Sequence, residues 1–259
     1  MTGPLDVLVA IPAHDEQESI GRCLDSVRAA VIIAQQAGVV GRARLAVAAH
    51  RCVDETVARV RQWLVEHSGT EGLLVEDADL KPVGAVRTEL ITTAMSVAPV
   101  LAPSCWILST DADTIVPIGW ITGLLAAARS ESADLVAGLA DLDGWAAPDG
   151  ARRVYAEIVD AGIVGRQHRH VYAANLAVSW SAFRAVGGFP AVAHGEEHEL
   201  VAAVRASGRR VVSPLGPRVR TSARMPGRAA EGLGDLLAGL VADVATDAGA
   251  PSDEARSAR

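Results

Sequence analysis

Only 3% of the 259 residues are aromatic: two Phe, two Tyr and five Trp. The core must therefore be aliphatic, and stacking surfaces for a base or a sugar ring are few. Lysine is almost missing, with Lys81 alone among 24 basic residues. Set against 31 acidic residues, these leave a net charge of −7, so no global positive field draws in nucleic acid. The three cysteines, Cys23, Cys52 and Cys105, are odd in number and widely spaced, and no CxxC pair occurs. A disulfide scaffold is excluded and reduced thiols are expected. The N-terminal segment has no basic region ahead of its short apolar run, unlike a secretory signal. The apolar stretch between Ser26 and Ala49 is interrupted by Arg28, Gln35, Gln36, Arg42 and Arg44, so no transmembrane segment is expected. These absences suit a cytoplasmic chain, free or peripheral at a membrane.

Half of the residues are hydrophobic, and at this length folding can bury about 70% of the surface. Short apolar runs alternate with longer amphipathic ones. Strands are predicted at Val7–Ile11, Leu45–Ala49, Leu73–Glu76 and Trp106–Ser109, and helices from Ile20, over Thr56–Glu66 and over Val86–Val97. Such alternation implies βαβ units around a central, mostly parallel sheet flanked by helices, a Rossmann-like α/β domain with ligands beyond the carboxyl ends of its strands. The second half is less regular. Helices are expected at Ile118–Ala128, Ala151–Gly165 and Glu196–Ala206, and extended chain at Leu135–Leu139, Ala174–Ser179 and Arg210–Val212. The Gly- and Ala-rich tail, 229–259, reads as a weak helix near Leu233–Val244 with a partly disordered end.

Four loops carry chemistry, each after a predicted strand. The sharpest is Asp111-Ala-Asp113, closing an apolar strand. Residues i and i+2 of extended chain share a face, so the two carboxylates can converge on one cation. Oxygen-only ligation favours Mg²⁺ or Mn²⁺. The plainer alternative is a solvated turn in which Asp113 caps the next helix. The other loops are Pro12-Ala-His14-Asp15-Glu16, His50-Arg-Cys-Val-Asp54 and the helix start Gly84-Ala-Val-Arg87. Acids beside a helix N-terminus also suit its dipole. Four arginines, Arg218, Arg220, Arg224 and Arg228, with two hydroxyls form a candidate diphosphate clamp on a closing loop. His168, His170 and His194 are weaker candidates for a further metal ligand.

In order and spacing, these pieces, with Ala174-Asn175-Leu176, Gly187-Gly188-Phe189-Pro190 and Gly195-Glu196-Glu197-His198, resemble the family 2 glycosyltransferases of GT-A fold, from about Val7 to Arg228. The resemblance implies a single GT-A domain over 1–228. Residues 1–113 would bind a UDP- or GDP-linked sugar and residues 114–228 a small-molecule or lipid-linked acceptor. It implies transfer to a hydroxyl with inversion, and a Mg²⁺ or Mn²⁺ ion on Asp111 and Asp113. Donor contacts would come from Pro12, His14, Glu16, His50, Asp54, Arg87, Asp111, Arg220, Arg224 and Arg228. Asn175, Trp145 and Trp180 would lie on the acceptor side. Two positions depart from the family pattern. Ala49-His50 stands where relatives carry a base-reading aspartate, and Glu196-Glu197 stands where they carry Glu-Asp, making Glu197 the matching general base. Alternatives are a catalytically inactive GT-A binding or scaffold protein and a sugar-nucleotide pyrophosphorylase. The latter would need a Gly-rich basic loop after the first strand, where this chain has Pro12-Ala-His-Asp-Glu. A GxGxxG dinucleotide fingerprint is absent there too.

Overall fold

A computed structural model describes residues 3–79, 81–97, 101, 104–225 and 232–249. Along the chain the first half runs β1 (Leu5–Ala13), α1 (Ile20–Gln36), β2 (Val40–His50), α2 (Thr56–Glu66), β3 (Glu71–Asp77), α3 (Val83–Ser96) and β4 (Trp106–Ser109). Next come β5 (Thr114–Ile115), α4 (Trp120–Glu131), β6 (Leu135–Ala137), β7 (Leu139–Asp143), α5 (Asp149–Ala161), β8 (Ile163–Val164) and β9 (Gln167–His168). A 3₁₀ turn at Ala173–Asn175 leads into β10 (Leu176–Ser179), α6 (Trp180–Val186), α7 (Glu196–Ala206), β11 (Val211–Val212), β12 (Arg218–Ser222) and α8 (Leu233–Gly249).

Seven strands form the central sheet in the order β11-β6-β10-β4-β1-β2-β3, parallel except where β10 joins β4 and β6. Alternation along β1 sorts the core. Val7, Val9 and Ile11 face α1, α2 and α4, while Leu8 and Ala10 face α3, α6 and α7. Both layers are largely aliphatic, with Trp120 and Phe183 among the few fully buried aromatics. The three cysteines are unpaired. Among the described residues no helix is long and apolar enough to cross a membrane.

The run Leu135–Leu139 is not one strand. It breaks at Gly138, and β7 leaves the central sheet for a three-stranded one, β5-β12-β7. At the break the chain passes directly against Asn175: Gly138 N–H donates to the Asn175 carbonyl at 2.8 Å, and a Cβ at this position would lie 2.2 Å from the Asn175 amide nitrogen, so only glycine fits. The helix expected to reach Gly165 ends at Ala161, where the His170 ring fills the space a Cβ on Gly162 would need, and a small β8-β9 hairpin follows. The clamp segment is likewise a strand rather than a loop over Arg218–Ser222, with Val219 and Thr221 buried. The described part of the tail, α8, packs against α5.

Asn175 sits at the seam between the two sheets with no exposed surface. Its amide donates to the Leu139 and Pro217 carbonyls at 2.8 and 3.0 Å and accepts the Trp120 indole N–H at 2.8 Å. Replacing it with Leu strands three buried polar groups, each worth about 1–3 kcal/mol when left unpaired. The urea midpoint of Asn175→Leu is therefore expected to fall by at least about 2 kcal/mol in stability; a midpoint equal to wild type would refute this role.

Candidate functional site

The parallel strands deliver their carboxyl ends to one edge, with Ala13 level with Ala49, His50 level with Asp77, and Ala10 level with Ser109. Two loops at this edge are bolted together. Asp15 adopts a left-handed φ of 52°, tolerable for a short polar side chain. Its Oδ1 accepts the Val53 N–H at 2.7 Å and the Asp54 N–H at 3.3 Å. Asp54 returns the contact by accepting the Gln17 N–H at 3.1 Å, and it also takes the N–H and hydroxyl of Thr56 at the head of α2. The Thr56 Oγ1 in turn accepts the Glu16 N–H at 2.7 Å.

This clamping presents Glu16, only 6% exposed, to the cleft. Its carboxylate meets Arg224, with Nη1 at 3.1 Å and Nη2 at 2.5 Å, and the same Nη2 lies 3.1 Å from Asp113 Oδ2. Arg224 thus bridges the first-strand loop and the second aspartate of the DxD. Burial pushes the Asp113 carboxyl up to about 7, helped by the negative charges of Asp111 and Glu16 and opposed by Arg224. Asp113 does not cap a helix, since α4 begins at Trp120 behind Gly119. Asp111 is half-exposed, and its Oδ1 accepts a 2.5 Å bond from Arg87. Around Glu16, Asp113 and Arg224, though not Asp111, lies a cleft of about 550 Å³, lined by six carboxylates (Asp15, Glu16, Glu18, Asp54, Asp113, Asp143) and two guanidinium groups, Arg22 and Arg224.

Beside this cleft, His14 donates to the His50 carbonyl at 2.9 Å, and His50 Nδ1 donates to Asp77 Oδ2 at 3.0 Å. Burial raises the Asp77 carboxyl, but bonds from Lys81, the Asp79 N–H and His50 outweigh it and hold the group below its ordinary range. Neither Asp77 nor Lys81 is a sequence-predicted site residue, although Asp77 directly follows the predicted strand Leu73–Glu76 and closes the observed β3 at the same edge. On the other flank, the head of α7 carries two glutamates. Glu196 is buried with Oε1 3.5 Å from Arg87 Nε, whereas the Glu197 side chain is 19% exposed beside His198. Burial and the neighbouring Glu196 push the Glu197 carboxyl up.

The edge therefore gathers Pro12, His14, Glu16, His50, Asp54, Asp111, Asp113 and Arg224. Arg87 joins them from beneath, 3% exposed, so it supports Asp111 without a face toward the cleft. Arg220 is exposed and 3.8 Å from Asp143, while Arg218 pairs with Asp141. Arg228 lies outside the described residues. Three acceptor-side expectations fare differently. Asn175 is a core residue. Trp180 starts α6 at the opposite end of the sheet, its N–H bonded to Cys105 O below β4. Trp145 follows Asp143 by two residues and packs edge-on to Tyr155 at 5.6 Å. His168 and His170 stack near α5, with His170 Nε2 donating to the Val159 carbonyl.

No protein-family model matches the sequence, and no curated protein does. Solved structures do match. A mannosyltransferase, PcManGT from Pyrobaculum calidifontis, in complex with GDP-Man and Mn²⁺, superposes with TM-score 0.67 at 17% identity. That alignment covers 87% of this chain and 59% of the mannosyltransferase, so the chain spans under two thirds of that protein. S. aureus TarS 1-349 with UDP-GlcNAc gives TM-score 0.61 at 10% identity, covering 97% of this chain and 69% of TarS 1-349. Glucosyl-3-phosphoglycerate synthase from Mycobacterium tuberculosis, with Mn²⁺ and UDP-glucose, gives TM-score 0.52 at 16% identity over 96% of this chain and 82% of that one. At these identities the likeness is one of architecture: the chain has the GT-A fold.

Proposed function

We propose that the chain is a metal-dependent glycosyltransferase that moves a sugar from a UDP- or GDP-sugar to an acceptor hydroxyl with inversion. The observation that carries this reading is the charge of the cleft. Six carboxylates face two arginines where a GT-A fold gathers its strand ends, and Asp113 holds its proton to about 7. A nucleoside diphosphate is itself anionic and would be repelled there without further positive charge. Asp113 and Asp111 offer hard oxygen donors, which fit Mg²⁺ or Mn²⁺. When bound, such an ion would offset the negative charge developing on the leaving diphosphate. Solved structures of the same fold carry Mn²⁺ with GDP-Man or UDP-glucose, which supports this donor class.

The remaining roles belong to the chain itself. Arg224, anchored on Glu16, reaches the diphosphate with charge-assisted N–H donors. Arg220, the exposed arginine of β12, extends the clamp. His14, His50 and Asp77 are assigned to the nucleobase, and Trp145 to the acceptor within residues 114–228. Glu197, held with a raised affinity for a proton, accepts it from the attacking hydroxyl; general-base assistance is worth about 10²–10⁴ in rate.

Thermal-shift measurements with UDP- and GDP-sugars should show stabilisation that requires Mn²⁺; binding without turnover would instead favour the inactive scaffold reading. Asp113→Ala is expected to abolish Mn²⁺-dependent turnover while remaining folded, and undiminished turnover would remove Asp113 from the ion. Arg224→Ala should weaken UDP or GDP binding roughly tenfold, the loss of one charge-assisted contact, read by calorimetry. Asp113 also sets a pH signature. Its folded affinity for protons exceeds that of the unfolded chain, so its contribution to stability is present below about pH 4 and lost as pH rises through about 7. Asp113→Asn should thus stabilise the metal-free protein at pH 7.5 by about 1–3 kcal/mol and match wild type near pH 4. Equal urea midpoints at both pH values would contradict the buried, undercompensated charge.

A further inference from the structure

Arg87 opens the second turn of α3 and is enclosed by three elements. Its Nη1 donates to Ser109 Oγ at 2.8 Å, Nη2 to Asp111 Oδ1 at 2.5 Å, and Nε lies 3.5 Å from Glu196 Oε1. The Phe189 ring centroid is 5.7 Å from its Cζ. A planar guanidinium can serve several acceptors in fixed directions at once, which an ammonium on a flexible stem does not reproduce. The backbone is arranged to allow it. A Cβ on Gly84, one turn earlier, would fall 2.1 Å from the Pro190 carbonyl oxygen and 2.9 Å from Glu196 Cβ. Thr88 Oγ1 donates to the Phe189 carbonyl at 3.0 Å, fastening α3 to the segment that launches α7.

Resting on the transferase reading above, we propose that Arg87 is the positioning residue of the reaction. One buried guanidinium hydrogen-bonds Asp111 on the donor side and holds Glu196 on the acceptor side as an ion-pair partner rather than through a hydrogen bond, leaving Glu197 as the carboxylate that meets the acceptor. The two glutamates, equivalent in sequence, divide into a strut and a base. The charged groups facing Glu197 are Glu196 and His198 from its own helix and Arg87 from α3.

The test compares Glu196→Gln, Arg87→Met and Arg87→Lys in the full chain by ¹³C-carboxyl NMR titration of Glu197, which needs neither donor nor acceptor, and by the pH profile of kcat. Removing the like charge in Glu196→Gln should lower the Glu197 midpoint and the acidic limb of kcat. Removing the counter-charge in Arg87→Met should raise both. Glu196→Gln should keep transfer within roughly tenfold of wild type, while Glu197→Gln loses about a hundredfold or more. Arg87→Lys, which keeps the charge but not the fork, should leave the Glu197 midpoint near wild type yet lower kcat about tenfold or more. Shifts in the same direction, or a loss in Glu196→Gln equal to that in Glu197→Gln, would overturn the assignment. Absence of transfer by the wild-type protein with any nucleotide sugar would instead overturn the transferase reading, with the NMR midpoints still judging the division between the two glutamates. Glu196→Gln is nearly isosteric, so its result stands even where Arg87→Met folds poorly.

Discussion

Like charges brought together by strand register set the terms for the rest of this molecule. Parallel pairing aligns the ends of β1, β2, β3 and β4, so Glu16, Asp54, Asp77 and the Asp111/Asp113 pair gather along one edge. Left alone, such a cluster would repel itself and open the fold. Arg87 answers from beneath, through Asp111 and Glu196, and Arg224 from above, through Glu16 and Asp113. Asp54 and Asp15 spend their oxygens on backbone N–H groups of the neighbouring loop. What is left unbalanced is concentrated at Asp113.

Arginine is suited to these positions for reasons of shape as well as charge. Both bridges, the buried Arg87 and the half-buried Arg224, use a guanidinium to reach two carboxylates from different elements. The single lysine, Lys81, sits at the rim of the edge, between Asp77 and Glu89. The arginine-rich composition thus finds a structural use at this edge.

Much of the fold could be read along the chain because local signals agreed with tertiary ones. Thr56–Glu66, Trp106–Ser109 and Glu196–Ala206 have the observed bounds, each marked by clear periodicity or an apolar run with polar ends. What could not be read depended on partners distant in sequence. That position 138 must be glycine follows from Asn175, which occupies the space a side chain there would need. Arg218–Ser222 alternates like a strand, Val219 and Thr221 inward, while its arginines and hydroxyls are equally the composition of a phosphate-binding loop. The DxD, the first loop and the Glu196-Glu197 pair were legible from residue types placed after apolar runs. Which glutamate is pinned, and that Arg87 is buried rather than facing a ligand, required knowing how closely α3 approaches α7. Trp180 was misplaced because β10 runs antiparallel, which sends its C-terminal neighbour to the far end of the sheet.

The small β5-β12-β7 sheet has a mechanical consequence. β5 begins directly after Asp113, β12 ends two residues before Arg224, and Thr114 is paired with Thr221 across the ladder. The aspartate and its arginine are therefore tethered to adjacent rungs of one ribbon. From Ser222 the backbone can carry Arg224 outward by no more than about 7 Å without breaking a rung. Any exchange of partners at Asp113 is thus a short swing on a fixed leash, and the opening of the cleft is limited by hydrogen-bonded strand geometry rather than by loop length.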